Sequence, residues 1–529
     1  MRSTTCEEAP SRRRAGVLLH PTSLPGPHGI GDLGPAARRF ADFLAAAGQA
    51  VWQVLPLAAT GYGDSPYQGL SAFAGNLLLV SLEDLRDEGW LAEEDLAGAA
   101  GDGPPPFAAS TVEYARVTRF KSALLRRAAE RFAQRATAAE QAALAAFRGR
   151  EATWLEDLAL FLALKDRHGG AAWIGWEGQL ARRDPRALAV ARREHAADIH
   201  CHVFAQWVFH RQWGRLRDHA RARGVALMGD LPIYLAHDSA EVWARPRLFR
   251  IDAAGEPQAV AGVPPDYFSA TGQLWGNPLH DWATQAADGY AFWVERMRHN
   301  LRLYDLVRVD HFRGFEAYWQ VPAGAATAQE GRWVKGPGAT LFEALEAELG
   351  SLPLVAENLG VITPEVELLR RRFHFPGMAI LQFAFGKDPQ ADSFKPHNYE
   401  RDLVAYTGTH DNDTVLGWWA SRAGAGSTRS DEEIEVERAH AKAYLATDGR
   451  EMNWVLLRAV YASVAELAMS PLQDLLGLSS EARMNTPSTP SGNWRWRFEE
   501  RALTPALAER VRGLAELYGR SAGSVSSNQ

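Results

Sequence analysis

Three acidic residues each close a short apolar run of strand-like composition: Asp310 in LVRVDHFRGF, Glu357 in LPLVAENLG and Asp411 in LVAYTGTHDND. In a (β/α)8 barrel the inward side chains fill the core, whereas the C-terminal strand ends and the loops that follow form the active site. An acid at such an end faces substrate rather than core. The intervals between successive acids leave room for one or two strand-plus-helix units, so the three belong to neighbouring or next-neighbouring strands.

The rest of the chain supports a parallel sheet. GVLLHP (16–21) reads as a strand, PAARRFADFLAAAG as a helix with Pro35 in its first turn and Gly48 as its stop, and AVWQVLPL (50–57) as a second strand. Strand, helix and strand in succession make a βαβ unit. Alternation resumes with 226–235, LVRVDHF, LPLVAENL, 378–385 and LVAYTGTHD, with helices expected over 290–305 and 364–373. The fold class is therefore α/β, a (β/α)8 TIM barrel with helical and loop-rich insertions. At 529 residues the chain exceeds one compact core, and the even spread of motifs favours one large barrel over two domains. Residues 85–201 shift to Ala, Arg and Glu at helical spacing and are expected as a largely helical insertion subdomain, leaving 1–84 and 202–529 as the catalytic barrel. The stretch 236–281 is expected to be loop-rich.

A net charge of −7 and a pI near 6.2 argue against a nucleic-acid or anionic-membrane surface. Two cysteines, Cys6 and Cys201, imply no disulfide framework and point to a reducing compartment. The first 21 residues lack a signal peptide's apolar stretch, and no segment approaches the roughly 18 apolar residues of a membrane span. The expected location is the cytoplasm.

Arg308 and Asp310 are two apart on a strand, so they leave the same face. The guanidinium is expected to hold Asp310 ionised, and the apolar setting of Glu357 to raise its pKa. Two acids whose pKa values are pushed apart make the acid and base arrangement of a glycosidase. His410 and Asp411 begin HDND, which lacks a second ligand cluster for a metal, so neither metal nor organic cofactor is expected. Of 18 Trp, 13 Tyr and 22 Phe, several gather in Gly-Pro loops, namely Tyr62, Tyr67, Tyr267 and Trp275. Flat amphipathic rings suit sugar faces.

GVLLHPTSLPGPHGIGDLG, WQVLPLAATGYGDSPYQGLSAFAGN, GDLPIYLAHDSAEVWA, VPPDYFSATGQLWGNP, VRVDHFRGF, AENLG, YTGTHDNDT and ARMNTPSTPSGNWRWR together resemble the amylomaltase family of bacterial 4-α-glucanotransferases, within the wider α-amylase-like group. The resemblance implies that Asp310 is the nucleophile, Glu357 the general acid and base, and Asp411 the transition-state stabiliser. It places Tyr67, Asp230, Arg308 and His410 around the cleaved sugar, and Tyr62, Asp266 and Trp275 in glucan-binding loops. It implies α-1,4-glucans and maltooligosaccharides as partners and a retaining double displacement. An α-1,4-glucan hydrolase and a non-catalytic glucan-binding protein are the alternatives. The chain departs from the family pattern at Asn358, where AEDLG is usual, at Ser488, where Gly is usual, and at His28, where Tyr is common.

Overall fold

The computed structural model describes residues 13–97, 107–266, 269–388, 390–424 and 428–521, without the side chain of Tyr62. Eight strands form one parallel sheet: β1 Arg14–Leu18, β2 Val51–Gln53, β3 Ala226–Leu231, β4 Leu306–Val309, β5 Leu354–Ala356, β6 Gly377–Ile380, β7 Leu403–Tyr406 and β8 Leu467–Pro471. Their order is β6-β7-β8-β1-β2-β3-β4-β5, and the sheet curls until its outer strands meet. There the Ala356 N–H donates to Pro376 O at 2.8 Å, just before β6. The expected α/β barrel is the observed fold.

Side chains alternate along each strand. Val51, Met228, Val355, Met378, Ile380, Val404, Tyr406 and Met469 form one buried cluster inside the barrel. Their neighbours Trp52, Leu227, Val307, Ala379, Ala405 and Ala468 join the larger core beneath the helices. Gly16 is required on β1, because a Cβ there would lie 2.5 Å from Val51 O and 2.6 Å from the Met469 sulfur.

Most strands are shorter than the apolar runs that announced them. The run 378–385, for example, leaves β6 at Ile380 and turns into a 3-10 helix over Leu381–Ala384. Strand-end loops are packed as well as strands, so apolar composition overshoots the ladder. β8 was not anticipated: LAMSP carries weak strand preference, and its pairing with β1 and β7 on either side makes it a strand.

Among the described residues between β2 and β3, the stretch from 114 onward is largely helical. α1 Pro35–Ala46 precedes this segment, and α2 Tyr114–Arg135, α3 Ala152–Arg167 and α4 Ala196–Ala222 dominate it. α4 runs unbroken through residue 201 and carries the chain back to β3, so the helical segment and the barrel share one helix. α2 buries Val117, Leu124, Leu125, Ala128 and Phe132 on one stripe. The Phe132 ring lies 5.0 Å from that of Phe204 and 5.2 Å from that of Trp207 on α4. Burying a side chain of this size contributes roughly 1.5–3 kcal/mol. Lys121 of α2 is fully buried; its Nζ donates to Leu78 O at 2.7 Å and lies 3.9 Å from Asp32, clasping the helices to the barrel loops. Burial lowers its pKa to about 8, against the pull of Asp32.

The stretch 236–281 departs from the expected loop. Ala259–Val263 and Gln273–Pro278 are strands, joined by Ala317–Pro322 and Arg332–Lys335 in a four-stranded antiparallel sheet. The two pair with each other, and Ala259–Val263 also pairs with Ala317–Pro322 from a later segment, beyond the reach of local sequence. Tyr267 and Cys6 lie outside the described residues. Among the described residues, no helix is long and apolar enough to cross a membrane.

Candidate active site

A cleft of about 1000 Å³ opens at the C-terminal ends of the barrel strands. Tyr67, Asp266, Trp275, Arg308, Asp310, Glu357, His410 and Asp411 all line it. Asp230 stands behind them, its side chain fully buried. Tyr62 falls in the 3-10 turn Tyr62–Asp64, and its side chain lies outside the described residues.

The placement follows from strand periodicity. Asp230 on β3 and Arg308 on β4 are register partners, and both point inward with Met228 and Val355. Arg308 Nη1 therefore sits 2.7 Å from each oxygen of Asp230 and 3.0 Å from Asp310 Oδ1. The Tyr67 hydroxyl donates to Asp230 Oδ2 at 2.8 Å and lies 2.9 Å from His410 Nε2, with the two rings stacked. His410 Nε2 is 3.4 Å from Asp411 Oδ2. Asp411 is braced from the 480s loop: Asn485 Nδ2 donates to Oδ1 at 2.6 Å, and Arg483 donates to its backbone carbonyl at 2.7 Å.

Glu357 extends β5 by one residue. Its Oε2 accepts from the His311 N–H at 2.7 Å and its Oε1 from the Leu359 N–H at 2.9 Å. His311 adopts a left-handed backbone, φ 50°, which turns the chain sharply after Asp310. Its ring meets that of Trp275 edge-on at 4.9 Å. Asp266 Oδ2 accepts from Gln273 Nε2 at 2.6 Å, and Trp275 Nε1 donates to Gln273 Oε1 at 3.2 Å, tying the loop to the small sheet.

The charge balance corrects one expectation. Asp310 is not held below the ordinary aspartate range; its pKa is raised. Burial is the largest cause, and Asp230, Glu357 and Asp411 add negative charge, together outweighing Arg308. Asp230, 2.7 Å from the same guanidinium nitrogen, sets a negative charge that offsets part of the pull of Arg308 on Asp310. A quarter of the Asp310 side chain stays open to the cleft, where water tempers the effect of burial. Glu357 is raised as expected, by burial first and Asp230 second, with Arg308 and its two backbone N–H partners opposing. One cation among this many carboxyls leaves both Asp310 and Glu357 raised above the usual carboxylate range.

Residues 19–504 match the 4-alpha-glucanotransferase family model. This chain belongs to the 4-alpha-glucanotransferase family. It is 50% identical over 516 residues to the 4-alpha-glucanotransferase of Thermus thermophilus, covering 96% of this chain and 99% of that protein. A Synechocystis 4-alpha-glucanotransferase is 47% identical over 512 residues, covering 96% and 98%. Among solved structures, the amylomaltase from Streptococcus agalactiae in complex with acarbose superposes with a TM-score of 0.90 at 36% identity, covering 96% of this chain and 100% of that one.

The family departures have defined settings here. Ser488 keeps a left-handed backbone, φ 65°, although it is not glycine, and it lines the cleft. His28 is buried and stacks on Phe120 of α2 with ring centroids 6.0 Å apart. His311, Gln273 and Arg483 were not singled out from the sequence. His311 acts through its backbone N–H and Arg483 on a carbonyl 72 residues away, so no local motif marks them, although the RMNTP segment that carries Arg483 and Asn485 was a hint; Gln273 bonds Asp266 and Trp275 nearby in the chain, a contact that a Gln in a loop-like stretch does not announce.

Proposed function

We propose that this 4-alpha-glucanotransferase moves α-1,4-glucan segments between maltooligosaccharides by retaining double displacement. Asp310 attacks the anomeric carbon while Glu357 protonates the departing 4-oxygen, so the glycosidic bond breaks as the C1–Oδ bond forms. Glu357 then takes the proton from an acceptor 4-hydroxyl, whose oxygen displaces Asp310 and restores an α-1,4 bond. Asp411, with His410 and Tyr67, contacts the sugar hydroxyls as positive charge develops on the ring. Arg308 and Asp230 orient Asp310 from beneath, and Tyr62, Asp266 and Trp275 offer faces and hydrogen bonds to flanking glucose units. The protein's location is taken as the cytoplasm, in keeping with its few cysteines.

The observation that carries this reading is the pairing of Asp310 and Glu357 at adjacent strand ends β4 and β5, over Arg308 and open to one cleft. With maltotriose, a ladder of longer and shorter glucans at constant reducing-end count is expected; rising reducing ends without longer products would instead mark a hydrolase. Glu357→Gln is expected to lower turnover of maltotriose by about 10³-fold yet to release fluoride from α-maltosyl fluoride readily, because fluoride leaves without protonation. Equal loss on both donors would count against Glu357 as the acid.

The raised pair also sets the pH profile. Falling pH protonates Asp310 and removes the nucleophile; rising pH strips the proton from Glu357 and removes the acid. Both groups are raised, so both limbs of kcat/KM should lie above the pKa values of free Asp and Glu. Arg308 lowers both, so Arg308→Gln should move both limbs of its residual activity further up. An acid limb near that of free aspartate would contradict the raised pKa of Asp310.

A further inference from the structure

The loop that carries His410 and Asp411 leaves β7 at Tyr406 and ends where α5 Val415–Ala420 begins. Its own bonds shape the middle: Asn412 Oδ1 accepts from the Thr409 N–H and from the Thr409 hydroxyl, both at 2.9 Å. Its two ends come down on one side chain. Asp474, on α6 Leu472–Leu476 directly after β8, is buried. Its Oδ2 accepts from the Thr407 hydroxyl at 2.7 Å, and its Oδ1 from the Val415 N–H at 2.8 Å.

Val415 opens α5, and its N–H is one of those that a helix leaves without a partner of its own. Asp474 supplies that partner from another helix, while the cap residue Thr414 accepts from the Gly417 N–H at 3.0 Å. Asp474 is fixed in turn by Asn453, whose Nδ2 donates to its backbone carbonyl at 2.8 Å. Burying a carboxylate is costly, and the cost shows in a pKa pushed up to about 6 by burial, with Asp413 adding to the rise and the two bonds opposing it. Asp474 stands outside the cleft lining, so contact with sugar does not account for it.

We propose that Asp474 is a positioning residue for Asp411, fixing both feet of the 407–415 loop to the turn after β8; this rests on Asp411 being the transition-state stabiliser. The segment that holds the feet also holds the top. From α6 the chain runs on to Arg483 and Asn485, which brace Asp411 itself, and Gln473 Nε2 donates to Ala482 O at 3.2 Å, tying α6 to that brace. The bridge calls for hydrogen-bond partners rather than for charge. In Asp474→Asn the amide oxygen keeps the Val415 N–H, and Nδ2 donates to Thr407 Oγ1, whose proton turns to Ser470 Oγ, 3.2 Å away.

The test measures kcat and KM on maltotriose for the full chain and for Asp474→Ala, Asp474→Asn, Thr407→Val and Asp411→Asn, with folding checked by circular dichroism. Asp474→Ala frees both feet and is expected to lower kcat about tenfold or more, since a catalytic group displaced by about 1 Å loses up to about 10²-fold. KM should stay within about twofold, because Asp411 acts in the transition state. Asp474→Asn should keep most of the wild-type kcat. Thr407→Val frees one foot and should fall between Asp474→Ala and wild type, and it decides the matter if Asp474→Ala does not fold. A wild-type kcat in folded Asp474→Ala, or in Thr407→Val where the former does not fold, would overturn the proposal. So would a loss confined to KM, or a folded Asp474→Asn as slow as Asp474→Ala, which would make the charge and not the bridge decisive. Near-wild-type activity of Asp411→Asn would remove Asp411 from its role, whatever the other variants do.

Discussion

Replacing Asp310 by Asn is expected to lower kcat on maltotriose by about 10⁴-fold or more, a loss of transition-state stabilisation on the order of 5 kcal/mol or more. The amide keeps the shape and can still meet the cleft water, but it cannot form the glycosyl ester. The same substitution should make the protein more stable, by roughly 1–2 kcal/mol near neutral pH. Asp310 shares its pocket with Asp230, Glu357 and Asp411, whose charges and burial hold its pKa up, and each pKa unit of such a shift corresponds to about 1.4 kcal/mol. Sites built for chemistry commonly carry such strain. Product chromatography and thermal melting of the two proteins side by side check both halves. Substantial disproportionation by a verified Asp310→Asn preparation would remove Asp310 from the role of nucleophile, and an unchanged or lowered melting temperature would refute the account of crowded carboxyls.

Asp230→Ala should have the largest effect on folding. Asp230 is fully buried and Arg308 nearly so, and one guanidinium nitrogen lies 2.7 Å from both carboxylate oxygens. Truncation leaves a buried cation short of its main partner, which costs about 3–5 kcal/mol. The Tyr67 hydroxyl also loses its acceptor at 2.8 Å and retains only His410. Arg308 would then lean toward Asp310, pulling that carboxyl down and shifting the acid limb of the activity profile to lower pH. Asp230→Asn should lose less stability, since it keeps the volume and one acceptor. Denaturant midpoints for the three proteins order these effects; equal midpoints for wild type and Asp230→Ala would show that the pair contributes nothing to the fold.

The sheet-end acids were legible because strands announce themselves by apolar runs and a carboxylate at the end of one stands out. Asp310, Glu357 and Asp411 needed no neighbours to be noticed. The state of their protons was another matter. Arg308 two residues from Asp310 predicts a depressed pKa, but the prediction counted one partner where the structure supplies four charged neighbours. Asp230, the one that claims most of the guanidinium, lies 78 residues from Arg308 in the chain, and only the register of β3 against β4 brings the two together. The small antiparallel sheet around Trp275 was missed in part for the same reason: Ala259–Val263, which pairs with the Trp275 strand, takes its other partner some sixty positions later, and Gly and Pro in their sequence read locally as loop.

By itself the sequence determined the barrel, the helical character of much of the segment between β2 and β3, and which carboxylates end the strands, because these depend on composition and periodicity over short windows; the family it gave only through the resemblance of its motifs. Tertiary structure alone decided how the barrel closes at Asn358, where the amide oxygen accepts from the Met378 N–H; which partner holds Arg308; how Asp411 is braced by Arg483 and Asn485; and in which direction the pKa of Asp310 moves. Those are properties of distance between atoms far apart in the chain, and electrostatic and hydrogen-bond energies depend on distance and surroundings, which no local pattern encodes.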